Sequence, residues 1–448
     1  MNRRVSRIAT AALAVAAIGV SLVGCSSGSN TGSGGSGGNA NDVTAALKKG
    51  GTLTYWGWAT GSDKQVAAFE KAYPKVKVKL VNAGTGNDEY TKLQNAIKAG
   101  SGAPDVVQVE YYAMPQFELT NGLADLSSFG FSKLKSKFSA GSWTAVTSGD
   151  KVYGLPQDSG PMALFYNKAV FDKYKLTVPK TWDEYVADAK KLHAANPKAY
   201  ITSDSGDAGF TTSMIWQAGG HPFKTDGKNV TINLKDPGTQ KWTSTWNQLV
   251  QNKLLSSTAG WSQDWFKQLG NGEIATLVTG AWMPGNLMNN SKAASGDWRV
   301  APMPTYDGGT PVTAQNGGSA QAVTAQSKNK ALAAGFLQWL NSSSESTKLF
   351  ASLGNFPSTT ADLKDPTFLG QKPDYFGGQA INTVLADASN QVAPGWEYLP
   401  FQVYANSIFA DTVGQSYQNS SDLNAGLAAW QAALVKYGNS QGFTVSTK

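Results

Sequence analysis

Leu53-Thr54-Tyr55-Trp56-Gly57-Trp58 leads through a polar turn into Ser62 to Pro74, and Val76-Lys77-Val78-Lys79-Leu80 follows at once. The order is strand, turn, helix, proline stop, second strand. Such a β-α-β opening commits a chain to a parallel sheet flanked by helices, because two parallel neighbours need a crossover between them. Ser62 and Gln65 stand three apart, as a capping box at the helix start requires. Lys77 and Lys79 alternate with apolar residues and mark the solvated face of the second strand. Ligands of open α/β sheets lie beyond the carboxyl ends of the strands, so Trp56 and Trp58 are expected beside a cleft.

The N-terminus reads differently. Arg3, Arg4 and Arg7 precede an apolar run from Ile8 to Val23, followed by Gly24-Cys25. A charged start, a short apolar core and small residues before a break describe a secretory signal peptide over residues 1–24. The run falls short of the ~20 residues that a spanning helix needs. Leu22-Val23-Gly24-Cys25 resembles the bacterial lipobox, whose cysteine becomes the lipidated first residue. Cys25 is the one cysteine in 448 residues, so it forms neither an intrachain disulfide nor a cysteine metal site. An acyl chain there would hold the body at the extracellular face of the membrane. The Gly/Ser-rich composition after it predicts a flexible tether, with residues 25–49 taken as lipidated cysteine plus linker. Gly34 to Gly38 matches the G-x-S-x-G pattern by composition only, without a preceding strand or following helix.

The formal charge of +7 falls by three when Arg3, Arg4 and Arg7 leave with the signal. The remaining basic residues are scattered, and nucleic-acid binding needs a clustered basic patch. Roughly 400 mature residues exceed a single core and predict two or more lobes.

Helical and strand signals alternate along the body. Tyr90, Leu93 and Ile97 recur at helical spacing and Gly100 closes that helix. Pro104 to Val109 reads as a buried strand ending in Glu110-Tyr111-Tyr112, again with polar and aromatic groups at a strand's end. Met162 to Tyr166 is a strand. Thr181 and Glu184 make a second capping box, and Asp236-Pro237 an N-cap with proline at the first helical position. Trp242, Trp246 and Leu249 mark one buried helical stripe. Trp261 to Leu269 is expected to be helical. Ile274 to Val278 reads as a strand before Gly280-Ala281-Trp282, and Arg299 to Pro304 as a strand-like, proline-bounded segment suited to a connector between lobes. The tail is mostly helical.

With these residues laid out, the chain resembles the extracellular solute-binding proteins of ABC importers, the sugar-binding family that includes maltose-binding protein. The resemblance rests on Leu53 to Tyr73, Ala103 to Leu126, Tyr153-Gly154-Leu155-Pro156 with Phe165-Tyr166-Asn167-Lys168, Val178 to Leu192, Glu273 to Leu287 and Asn316 to Phe350. It implies an α/β, two-lobed periplasmic-binding-protein-like fold with a ligand cleft between lobes joined by several crossing segments. Lobe one would span 50–157 and return over 304–348; lobe two would span 158–303 and finish with C-terminal helices over 349–448. It also implies a monomer without cofactor or metal, which catalyses nothing, binds carbohydrate and docks on the permease's transmembrane subunits.

A sugar offers an apolar ring face and a rim of hydroxyls, so its site needs aromatic rings beside carboxylates and amides. Trp182, Trp339 and Trp430 lie within amphipathic helices and belong to the core. Trp56, Trp58, Trp282 and Trp396 sit beside Gly or Pro at element ends; Trp58 is the one assigned to packing. Trp282 matches the position where the family stacks a tryptophan on sugar. Asp63, Glu110, Tyr111 and Asp158 stand at strand ends or the first crossover, and Asp207 in the Ser203 to Asp207 loop. Asp63 has a rival role at a helix N-terminus. Phe210 and Trp216 compete as the lobe-two stacking partner. His193 and His221 lack paired metal-ligand spacing. Two other readings stand: a secreted glycoside hydrolase using Glu110 and Asp158, whose carboxyls would lie ~5–9.5 Å apart, and the same fold binding a non-sugar solute.

Overall fold

The computed structural model describes residues 39–447; the signal segment, Cys25 and the Gly/Ser stretch up to residue 38 lie outside the described residues. Helix α1 (Ala40–Lys49) opens with Asn39, whose side chain accepts from the amides of Asn41 and Asp42 while Asp42 answers at the Asn39 amide. The expected tether to residue 49 therefore ends earlier. Val43 of α1 is buried, and Leu47 packs against Gly335, so this helix has an apolar face that a linker would leave in water.

Strand β1 (Gly51–Trp56), helix α2 (Ser62–Ala72) and strand β2 (Val76–Val81) form the β-α-β unit, with β1 and β2 parallel and Leu53 opposite Val78. Leu53, Tyr55, Val76 and Val78 are buried while Lys77 and Lys79 face water. The capping box at α2 does not form. Gly61 is the N-cap in a left-handed conformation, Ser62 is already helical, and Gln65 instead donates to Ser346 Oγ at 2.8 Å. Leu353 lies 2.2 Å from where a Cβ on Gly61 would sit, so packing from a distant segment sets this helix start.

Helix α3 (Asn87–Ala99) leads to β3 (Val106–Glu110), which pairs parallel to β1 and is buried from Val106 to Val109. Strands β4 (Leu155–Pro156) and β5 (Met162–Asn167) follow, then helices α4 (Trp182–Ala195), α5 (Ala208–Gln217), α6 (Pro237–Gln251) and α7 (Gln263–Asn271). The cap signals at Thr181 and Asp236 are realised: Thr181 and Glu184 close a capping box, and Asp236 accepts from the Gly238 and Thr239 amides just beyond Pro237. Helix α7 begins at Gln263, capped by Ser262, so Trp261 stands in the loop before it rather than in the helix. Strand β6 (Thr276–Gly280), helix α8 (Met283–Asn290) and strand β7 (Trp298–Ala301) come next. Arg299 to Ala301, expected to be strand-like, pairs antiparallel with β5. Strand β8 (Ser319–Val323) and helix α9 (Lys330–Ser342) complete the parts that position the site.

Two sheets carry the architecture, one in the order β2-β1-β3-β8-β4 and the other in the order β6-β5-β7. The first carries α2 against β2 and α9 against β1, β8 and β4, and Leu53, Phe69, Tyr90 and Phe336 belong to one core around it. The second lies between one cluster holding Trp182, Trp242, Trp246 and Trp430 and another holding Phe165, Trp298 and Phe376. The stripe on α6 is fully buried, and Trp182 meets Trp246 edge to face at 5.8 Å, a favoured aromatic geometry. Among the described residues, no helix is long and apolar enough to cross a membrane.

One buried group sits uneasily in this packing. Glu89 on α3 is fully buried and its two carboxyl oxygens have no hydrogen-bond partner. Burial, reinforced by the Glu110 charge, pushes its carboxyl from an ordinary 4.5 up to about 8. The folded chain thus holds this proton more tightly than the unfolded chain does. Stability from Glu89 is complete below about 4.5 and is lost as pH rises toward 8. Glu89→Gln, which cannot ionise, is expected to match the parent Tm at pH 5 and exceed it by roughly 2–4 °C at pH 9. Calorimetry across that range checks this; a gap that stays constant with pH would refute it.

Candidate functional site

The carboxyl end of β3 and the approach to β8 form one wall of a cavity of about 310 Å³; α5, the loop before α7 and the end of β6 form the other. Glu110 and Tyr112 come from the first wall, together with Asn316 and Gly317. Asp204, Asp207, Phe210, Trp261, Trp265, Thr279 and Trp282 come from the second, and Tyr398, Gln402 and Asn406 join from the tail.

Glu110 reaches this place because Ser319 pairs opposite it where β8 runs antiparallel to β3. Its amide donates to Tyr90 Oη at 2.7 Å, and Tyr90 Oη donates in turn to Glu110 Oε2 at 3.3 Å. Burial pushes the Glu110 carboxyl up to about 7; the Tyr112 and Tyr90 hydroxyls oppose the rise, and the charges of Asp158 and Asp207 add to it. Oε1, on the Gly317 side, has no partner among the described residues.

Asp207 caps α5, accepting from the Phe210 amide at 2.6 Å. Protein atoms crowd it and raise its carboxyl's pKa, the Phe210 and Gly209 amides opposing. It nevertheless remains exposed to water along the cleft. Asp204 is buried behind it, with Oδ2 accepting from Trp246 Nε1 at 2.8 Å and Oδ1 from the Gly206 amide at 3.0 Å. Burial lifts Asp204 to about 6 against those two donors. The predicted core stripe on α6 therefore also holds a wall of the cavity.

Trp282 supplies an aromatic face. Its Nε1 donates to the Asn316 carbonyl at 2.7 Å, and Gly317, at φ 72°, leaves the indole room: a Cβ there would lie 3.0 Å from Nε1. Trp261 stacks against Trp282 with ring centres 5.5 Å apart and planes 29° from parallel. Trp261 is 57% exposed at positive φ, which is unusual for a bulky residue. Large aromatics exposed at a cavity mouth are poised to cover a ligand's apolar face.

Of the residues singled out from sequence, the structure brings Glu110, Asp207 and Trp282 into one cavity. Tyr111 and Asp158 lie behind it: the Tyr111 hydroxyl donates to the Asp158 carbonyl at 2.7 Å, and Asp158 Oδ1 accepts from the Ser319 amide at 2.6 Å. Both brace the first crossover. Trp56 packs against the first core, and Asp63 is an exposed residue in the first turn of α2. Trp396 stacks on Trp216 at 5.3 Å and 10°, within the tryptophan-rich core. None of these three lines the cavity. Trp58, assigned to packing, meets Tyr90 edge to face at 6.2 Å. Between the two stacking candidates, Phe210 lines the cavity and Trp216 does not.

Trp261, Asp204, Tyr398, Gln402 and Asn406 were missed. For Trp261 a signal existed: Gly260 precedes it and Ser262 is a good N-cap, the same pattern that singled out Trp282. Placing the helix start two residues early hid it. The other four carried no local mark.

A model of the bacterial extracellular solute-binding protein family matches residues 41–347. An arabinooligosaccharide-binding protein of Bacillus subtilis is 27% identical over 359 residues, 76% of this chain and 82% of the relative. A lactose-binding protein of Rhizobium radiobacter is 26% identical, over 76% of this chain and 83% of its own. Among solved structures, the ABC transporter associated binding protein of B. animalis subsp. lactis, in complex with β-1,6-galactobiose, is 46% identical and matches with a TM-score of 0.84, over 88% of this chain and 99% of that one. The galacto-N-biose-/lacto-N-biose I-binding protein of Bifidobacterium longum, in complex with lacto-N-biose, is 28% identical with a TM-score of 0.78, over 89% and 99%.

Proposed function

We propose that this chain, which belongs to the bacterial extracellular solute-binding protein family and has its two-lobed α/β fold, captures a short galactose-containing oligosaccharide and hands it to an ABC permease. The observation that carries this reading is the meeting of Trp261 and Trp282 with Glu110 and Asp207 in one cavity. A pyranose ring can lie on the indoles while its hydroxyls donate to the carboxylates, bonds strengthened by the acceptors' charge. The complex of the 46% identical protein with β-1,6-galactobiose supports a disaccharide of that class. Closure of the lobes on the ligand would present the bound form to the permease. The chain acts as a monomer.

The hydrolase reading cast Glu110 and Asp158 as its pair, and only Glu110 lines the cavity. Asp158 Oδ1 instead accepts from the Ser319 amide, so those two carboxyls do not flank a bond held there. Anchoring at Cys25 is part of the proposal. In a lipoprotein-processing host, Cys25→Ser is expected to abolish labelling with radioactive palmitate and release the chain to the medium; label retained in the variant would overturn the anchor.

Calorimetric titration with β-1,6-galactobiose is expected to show one saturable site, weakened at least about tenfold in Trp282→Ala, with no monosaccharide released on prolonged incubation. An absence of heat across a panel of neutral disaccharides would refute the oligosaccharide reading, and released galactose the binding-only one. Binding should also depend on pH. Ligand hydroxyls that donate to Glu110 favour its ionised form, and the free protein holds the proton below about 7. Affinity is therefore expected to fall about tenfold from pH 8 to pH 6, and Glu110→Gln to flatten the profile.

A further inference from the structure

The cavity carries carboxylates on both walls, Glu110 on one and Asp204 and Asp207 on the other, and its lining contains no lysine, arginine or histidine among the described residues. The chain as a whole has 38 basic and 31 acidic side chains, so the cavity's charge runs against that of the molecule. One feature could still attract an anion, the N-terminus of α5, where free amides and the helix dipole favour negative charge. Asp207 occupies that place with its own carboxylate, bonded to the Phe210 amide. Asp204 is spent on Trp246 and Gly206. Glu110 Oε1 and the second oxygen of Asp207 remain without partners among the described residues, with nothing basic beside them. Lys267 lines a neighbouring groove, together with Asp264 and Glu273.

From this arrangement we infer that Glu110 and Asp207 act as a charge filter, admitting neutral and cationic sugars and rejecting sugars that carry a carboxylate, sulfate or phosphate. The inference rests on the oligosaccharide reading above and narrows it. A negative group in the cleft meets like charge from both walls, in a space where water is partly displaced and the repulsion is less screened than in bulk. It finds no cation to pair with, so it also loses hydration without compensation. A protonated amine meets the opposite situation, with charge-assisted acceptors already in place.

Four probes separate charge from shape: β-1,6-galactobiose, and its derivatives bearing a carboxylate, a carboxamide or an aminomethyl group in place of the hydroxymethyl of the non-reducing ring. The carboxamide matches the carboxylate in size. At pH 8 and low salt, the carboxylate is expected to bind roughly thirtyfold or more weakly than the carboxamide. The amine, at a pH that keeps it protonated, should bind at least as well as the carboxamide. Raising the salt to about 0.5 M should narrow the gap between carboxylate and carboxamide. Glu110→Gln and Asp207→Asn weaken binding in general, so the readout is the ratio between these two probes, which should shrink severalfold in each variant. Equal binding of carboxylate and carboxamide, or a ratio unchanged in both variants, overturns the filter while leaving sugar binding intact. Binding by none of the four overturns the sugar reading and the filter with it.

Discussion

The pairing of β8 with β3 is the contact on which the rest of this molecule depends. Gln108 and Ser319, 211 positions apart, meet through a side-chain hydrogen bond at 3.3 Å, and the ladder around them runs from Ser319 opposite Glu110 to Val323 opposite Val106. This strand returns after the chain has built all three strands of the second sheet. Its arrival completes the first sheet, covers β3 and carries residues 315–317 across to the other half. Backbone that crosses in this way must still pair its polar groups. Ser213 Oγ donates to the Gln315 carbonyl at 2.8 Å and Trp282 Nε1 to the Asn316 carbonyl at 2.7 Å. One segment therefore registers Glu110 against Trp282 and α5. The cavity is a consequence of that registration rather than of any single loop.

Core and site also share residues elsewhere. Trp246 is fully buried on α6, packs against Trp182 and Tyr185, and uses its single donor on Asp204 at the cavity wall. Phe210 lies over the same ring at 5.4 Å while its outer side lines the cavity. A buried indole N–H needs an acceptor, and here the acceptor is a cleft carboxylate. Rigidity of the hydrophobic core is passed to the polar wall by one hydrogen bond and one aromatic contact. On the opposite wall, Tyr90 does the same for Glu110, holding both its amide and its carboxylate.

Local signals were legible where the chemistry is local. The Thr181 capping box, the Asp236-Pro237 helix start, the Trp242–Trp246–Leu249 stripe and the alternation along β2 involve residues within a turn or two of one another, and each stands as the spacing implied. The signal at Ser62 and Gln65 was equally clear and did not survive. Leu353 presses on Gly61 and Ser346 engages Gln65, so residues nearly 300 positions away decide how α2 begins. Among the tryptophans, a place beside glycine or proline did not distinguish Trp282, at the cavity, from Trp396, stacked in the core. Both have an apolar body that can be buried against protein or left facing a cleft, and only the neighbours choose. Trp261 shows the reverse error, since an apparent helical period concealed a loop residue.

By itself the sequence determined the β-α-β opening, the alternation of strands and helices, the family resemblance and which strand ends carry carboxylates and aromatic rings. These follow from periodicity, capping and turn chemistry, all short-ranged along the chain. The tertiary structure alone decided which of those groups share a space. It drew Glu110, Asp207, Trp261 and Trp282 together, turned Asp158 and Tyr111 into braces and sent Trp56 and Trp396 into packing. The physical reason is that convergence depends on long-range strand registry and on which side chains fill which core. Both are set by contacts between segments that carry no mark of one another in the sequence.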